Sequence, residues 1–257
     1  TGGGGTASGA SWSPLVAGVP EVAVPAHRAL GERFDVAADF RAQYYAVAPH
    51  VLDGPEHGPD TRFPPLVTTG LVDPAECAWG RRPARHGRRR WAAPRVDLAA
   101  LEAAGHGAWA RRRLVPKVVV ASQTRVVEAA VDAAGAWLPS VPLVSVTGDP
   151  GRLWHAAAAL LSPVTTAGAL RRGAGAALAA DHIKLGAPDV RALPLPAEGP
   201  DWDAAADAVQ AASSTTDPVD RRRALVAAAV ASCAAYGVPA DGLVDWWATR
   251  LPAPRVP

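Results

Sequence analysis

The sequence predicts an α+β fold: a small mixed sheet flanked by helices, followed by an α-helical C-terminal tail. Two observations carry that expectation. The β-branched runs at 118–120 and 141–147 are short and bounded by proline or turn residues, which suits strands. From Asp149 onward apolar residues recur at helical spacing, with Asp149 where the first such stretch begins and Pro163 where the second does.

The elements follow in order. Residues 1–12 are rich in Gly, Ser and Thr and read as a mobile start. Residues 12–24 alternate apolar residues with Pro and Gly, as the last element of a preceding domain would. Residues 34–47 bring Phe40, Tyr44 and Tyr45 beside Asp39, Arg41 and Gln43. The run DGPEHGPD and a proline pair make 53–65 a loop. A short strand is expected over 66–71, leaving through Gly70, with a turn starting at Asp73-Pro74. Residues 81–90 are charged without an apolar period and read as a loop.

Asp97 can cap a helix over 97–113, anchored by Leu98, Leu101 and Trp109 and closed by three arginines that suit a C-terminal turn. Gly105 and Gly107 weaken that helix and are placed to split it. Residues 115–121 form a strand, with 126–131 as its antiparallel partner, and 141–147 form another. A helix over 150–161 stops at Ser162-Pro163, and Pro163 suits the first position of the next helix, which Gly173 and Gly175 end. A short helix over 187–193 precedes the segment PLP. Three more helices, over 201–212, 218–235 and 241–251, complete the chain. The expected organisation is therefore 1–30 as a flexible start and remnant of a preceding domain, 31–200 as an α+β domain, and 201–257 as a helical tail.

Charge is nearly balanced overall, with 26 basic against 24 acidic residues, so any ligand signal must be local. It is local. Arg81, Arg82, Arg85, Arg88, Arg89 and Arg90 form one basic cluster and Arg111, Arg112 and Arg113 a second, whereas acids gather after position 200. Only Lys117 and Lys184 are lysine, which fits a GC-rich coding bias, so arginine content by itself is not a nucleic-acid signal. Cys77 and Cys233 are not spaced for a zinc site or a disulfide framework. The seven histidines form no ligand pair, so no metal is expected. No signal-peptide pattern or membrane-length apolar run appears, and a cytoplasmic protein without membrane partners is the expectation. The chain has no methionine, position 1 included, and is read as a fragment of a longer protein.

Several segments occur in a telling order. Val115-Pro116-Lys117-Val118-Val119-Val120 resembles the proline-lysine-hydrophobic strand in the C-terminal target-recognition region of adenine-N6 DNA methyltransferases. Trp154 to Leu161, closed by Ser162-Pro163, resembles the helix of that region, with Ser-Pro replacing the usual Asn-Ser. Leu193-Pro194-Leu195-Pro196 resembles its closing segment. Thr68 to Pro74, Trp79-Gly80 and Phe40 to Tyr45 are similar to segments of actinobacterial members. The resemblance covers roughly 12–200, and the order of the segments carries it more than any one motif.

The resemblance implies DNA recognition in support of methyl transfer from S-adenosylmethionine, within a restriction-modification setting. The partners implied are duplex DNA and a catalytic methyltransferase domain, on the same chain or another. Gln123 and Arg125 are of the types that pair with adenine and guanine edges, with Thr124 between them. Lys117 and the loop arginines Arg81, Arg82, Arg88, Arg89 and Arg90 would serve phosphates. Each has a plainer alternative: the arginines as a solvated loop, Lys117 paired with a local acid, and 123–125 as a polar strand exit. Tyr44 and Tyr45 read as packing between domains.

Catalytic motifs are missing from this sequence. No glycine-rich turn follows a first strand, and Phe63-Pro64-Pro65-Leu66 lacks the polar and aromatic residues that grip a flipped adenine. No catalytic residue is therefore assigned, and no cofactor is expected on this chain; S-adenosylmethionine is implied for the full-length enzyme. The competing expectation is a protein-interaction or structural module built on the alanine-rich helices. A self-contained hydrolase lacks an assembled nucleophile and base.

Overall fold

The computed structural model describes residues 18–25, 28–54, 61–172 and 182–253, and it is α+β. Its centre is a four-stranded antiparallel sheet. In spatial order the strands are Asp35–Ala38, Val144–Thr147, Lys117–Val120 and Ala129–Asp132. The β-branched runs thus form central strands, where both faces are covered and branched side chains pack well.

The register divides the side chains cleanly. Val36, Val118, Val120, Ala129, Val144 and Val146 face a layer of helices and join its core. Val119 and Ala130 face the opposite way, into a second cluster with Val67, Leu71, Val72 and Leu143. That second side is irregular. It carries two-stranded pairings of Leu66–Val67 with Leu138–Pro139, Val51–Asp53 with Pro94–Val96, and Val72–Asp73 with Glu76–Cys77. A satellite core of Val47, Leu66, Trp91, Val96, Leu101 and Leu138 lies beneath them.

The helices follow their sequence signals. Asp97 accepts from the Ala100 N–H at 3.0 Å and starts the helix Leu98–Ala103. Gly105, at φ +86°, separates it from Gly107–Arg113, so the stretch is split where the glycines stand. Asp149 accepts from Gly151 N–H and precedes a single 3₁₀ turn and the helix Leu153–Leu161. Pro163 begins Pro163–Arg172 as expected; Gly173 and Gly175 lie outside the described residues. Asp217 caps Pro218–Ala235 through the N–H groups of Val219 and Asp220.

The helices Pro200–Ser214, Pro218–Ala235 and Leu243–Arg250 are the expected C-terminal three. They do not hang from the fold. Trp202, Val209, Leu225, Tyr236 and Trp247 are buried in one continuous core with Val118 and Leu160. The boundary expected at 200 falls inside that core. Arg221 ties the same helices to the irregular side through an ion pair with Glu76, and also donates to the carbonyls of Thr215 and Thr216 in the connection between the first two of them. No single helix among the described residues is long and apolar enough to cross a membrane.

The stretch 81–90 is the main departure from expectation. It is a β-hairpin, Ala84–His86 against Arg89–Trp91, not a loop. Gly87 and Arg88 both sit at positive φ, +57° and +66°, the two-residue turn whose twist matches that of paired strands. Ala84, His86 and Trp91 turn inward and are buried, which fixes the hairpin to the body. The Trp91 indole N–H donates to the His86 carbonyl at 3.0 Å.

Candidate nucleic-acid interface

Each basic side chain is defined by what stands opposite it. Lys117 is directly across the sheet from Asp132. Its Nζ lies 2.6 Å from Asp132 Oδ2, and both side chains are fully buried. Asp132 also accepts from the N–H groups of Ala136 and Trp137, so the pair closes the turn after its strand. Burial pulls the Lys117 ammonium below its ordinary range, and Asp132 opposes that pull. Lys117 therefore cannot serve a phosphate. The expected contact is corrected: the ammonium is satisfied internally because the register sets a carboxylate against it.

Arg81 and Arg82 are also spoken for. Arg81 Nη1 lies 2.5 Å from Glu76, and its Nη2 donates to the Cys77 carbonyl at 3.0 Å. Arg82 grips Asp73 through both terminal nitrogens, at 2.8 and 3.3 Å. Burial pushes the neighbouring Cys77 thiol up to about 11, so it stays protonated and unreactive at neutral pH.

The hairpin is different. Arg85 lies directly opposite Arg90, and both are exposed. Arg88 occupies the turn, and the Arg89 guanidinium stacks 4.4 Å from the Trp91 ring centroid. Among the described residues no carboxylate pairs with Arg85, Arg88, Arg89 or Arg90. Asp53, on the neighbouring strand, accepts from the N–H groups of Ala92 and Ala93.

The polar triplet lies elsewhere. Gln123–Thr124 is itself a short strand, paired with Ile183–Lys184. Gln123 and Arg125 are exposed. Thr124 is buried and donates its hydroxyl to the Val126 carbonyl, which makes it a turn-former with no donor left for a base. A cavity of about 480 Å³ brings Gln123 and Arg125 together with Arg82, Glu128, His182 and Arg250. Buried Arg250 holds its edge by donating from Nε to the Arg125 carbonyl at 3.2 Å. The hairpin arginines do not line this cavity; Arg88 lines a separate one, against the helix Arg41–Val47.

The sequence reading passed over Arg250 and His182, which reach the triplet only through the fold. It counted Arg85 in the cluster but did not assign it a role.

The central sheet is antiparallel throughout. Strand Val144–Thr147 does feed a helix through Gly148 and Gly151, but the Asp149 carboxylate fills that turn. Among the described residues no cluster of three His, Cys, Asp or Glu side chains is placed to hold a metal. No protein-family model matches the chain, and no curated protein matches it.

Proposed function

We propose that this chain is the target-recognition portion of an adenine-N6 DNA methyltransferase. It grips duplex DNA, and methyl transfer from S-adenosylmethionine belongs to a catalytic domain outside these residues. One observation carries the reading. The hairpin spends stability to present charge: Arg85 and Arg90 are directly opposed like charges, and Arg88 sits in a left-handed backbone conformation that L side chains disfavour. Local rules are broken in this way where a ligand repays the cost. A phosphate backbone supplies the missing countercharge.

In this reading the hairpin arginines hold the backbone, while Gln123 and Arg125, beside their cavity, meet base edges. Lys117 has no part, and Arg81 and Arg82 only brace the surface. Exposed Val219 and Val230 on the helix Pro218–Ala235 favour a second reading, a protein-interaction module.

The test is duplex binding measured by fluorescence anisotropy across a salt series. Affinity is expected to fall with salt. The Arg85→Ala, Arg88→Ala, Arg90→Ala triple variant should flatten the logarithmic slope by roughly 2–3, about 0.9 per lost phosphate contact. Absence of duplex affinity at low salt sinks the proposal and leaves the interaction module.

A further inference from the structure

Phe40 and Tyr45 are 77% and 58% exposed, the two large aromatic side chains most open to solvent among the described residues. They belong to one short element: Phe40 precedes the helix Arg41–Val47 and Tyr45 lies on it. Tyr44, between them, faces the other way. Its hydroxyl accepts from the Gly87 N–H at 2.9 Å, and its ring lies 4.4 Å from that of buried His86. Tyr44 therefore fastens the helix to the hairpin turn, and that fastening leaves Tyr45 beside Arg88.

Between helix and turn is an open cavity of about 630 Å³, lined by Arg41, Tyr44, Tyr45, Gly87, Arg88 and Val141 among others. No acid lines it. The Arg41 guanidinium is 5.7 Å from the Tyr45 ring centroid, and neither Arg41 nor Arg88 is ion-paired among the described residues. The cavity thus offers flat aromatic faces and two uncompensated guanidinium groups within one small space. A nucleotide has the complementary pair of features: a flat base face and an anionic linkage. A paired duplex hides its base faces in the stack, so the aromatic half of this site has no use for one.

We propose that the cavity between the helix Arg41–Val47 and the turn at Gly87 and Arg88 binds an unpaired stretch of nucleic acid, with a base stacked on Tyr45 and phosphates held by Arg41 and Arg88; Phe40, exposed just outside the cavity, is a second stacking surface for the neighbouring base. This deepens the duplex-binding reading and rests on it for the polyanion. It adds that the protein meets strands with at least one unstacked base.

The experiment compares a labelled oligothymidylate with a fully paired duplex of the same length, for the wild-type chain and for Tyr45→Ala, Phe40→Ala and Tyr45→Trp. Expected is binding of the single strand by the wild type, about a tenfold loss for Tyr45→Ala, a smaller loss for Phe40→Ala, and retention by Tyr45→Trp. Duplex affinity should not change in any of them. Both aromatics are exposed, and circular dichroism checks that the variants fold. If duplex binding is present while the alanine variants leave oligothymidylate affinity intact, this inference fails and the duplex reading stands. If neither nucleic acid binds, both fail. If Tyr45→Ala abolishes a protein contact and spares oligonucleotide affinity, the surface is a protein-docking face and the inference is overturned.

Discussion

Lys117–Asp132 and Arg85–Arg90 are both charged pairs set directly opposite each other across antiparallel strands. One is buried and of opposite sign; the other is exposed and of like sign. The first pair closes its electrostatics inside the protein, and its ammonium has nothing left to offer. The second pair is stable only because water and salt screen it, and it is improved by any anion that arrives. Whether a basic residue in this fold is left open to solvent depends on the charge that stands beside it, not on its own type. The same rule sorts Arg81 and Arg82, held by Glu76 and Asp73, from Arg88 a few residues on.

The largest effect should come from the buried pair. Lys117→Met leaves the Asp132 carboxylate buried without its cation and is expected to cost about 3–5 kcal/mol, read by urea unfolding. The salt slope of DNA binding, measured on folded protein, should stay at the wild-type value. A folded Lys117 variant with a flattened slope would break the comparison.

His86 comes next, on the inner face of the hairpin. Its Nδ1 lies 3.2 Å from the Ser140 hydroxyl, and burial pulls its pKa from the ordinary 6.5 to about 4. The folded state therefore holds the neutral ring, whereas the unfolded chain takes up a proton near 6.5. Stability from this group is complete above pH 6.5 and is lost as pH falls toward 4, by up to about 3 kcal/mol. Unfolding measured at pH 7 and near pH 4 should show that loss, and His86→Phe should remove it. Because His86 anchors the hairpin, an unchanged pH profile in the variant would mean that the hairpin is held by something else.

The smallest effect is the sharpest in sign. Arg90→Glu converts the exposed like pair into an opposite one and should stabilise the fold by roughly 0.2–1 kcal/mol. The same change should weaken duplex binding. Paired thermal melts and anisotropy titrations check both. A variant that loses stability along with affinity would make the hairpin arginines structural and erase the contrast with Lys117.

These residues also show how far the sequence could be read. Helices announced themselves through Asp97 and Asp149 at their starts, and the terminal three were found within a few residues because their apolar spacing runs for several turns. The central strands were visible as β-branched runs. The hairpin was not. Its turn is Gly-Arg in place of the familiar Asn-Gly, and its inward residues are one alanine, one histidine and one tryptophan, which give no hydrophobic alternation to count. The fate of Lys117 was hidden for another reason. Its partner is fifteen positions away, and only the strand register brings them level. The Arg221–Glu76 contact spans still more chain, and no local pattern encodes it. For the proposed site, residue types were legible at Gln123 and Arg125, whereas the cavity beside Tyr45 depends on a helix docking against a turn that the sequence did not disclose.

The interior that runs unbroken from Val118 to Trp247 bears on how such a chain can change over time. A recombination event near position 200 would cut through one shared interior and leave each parent with half of it. Exposed turn residues such as Arg88 answer to no interior partner. Inheritance of the body is all or nothing, while the exposed hairpin turn is free to drift one residue at a time.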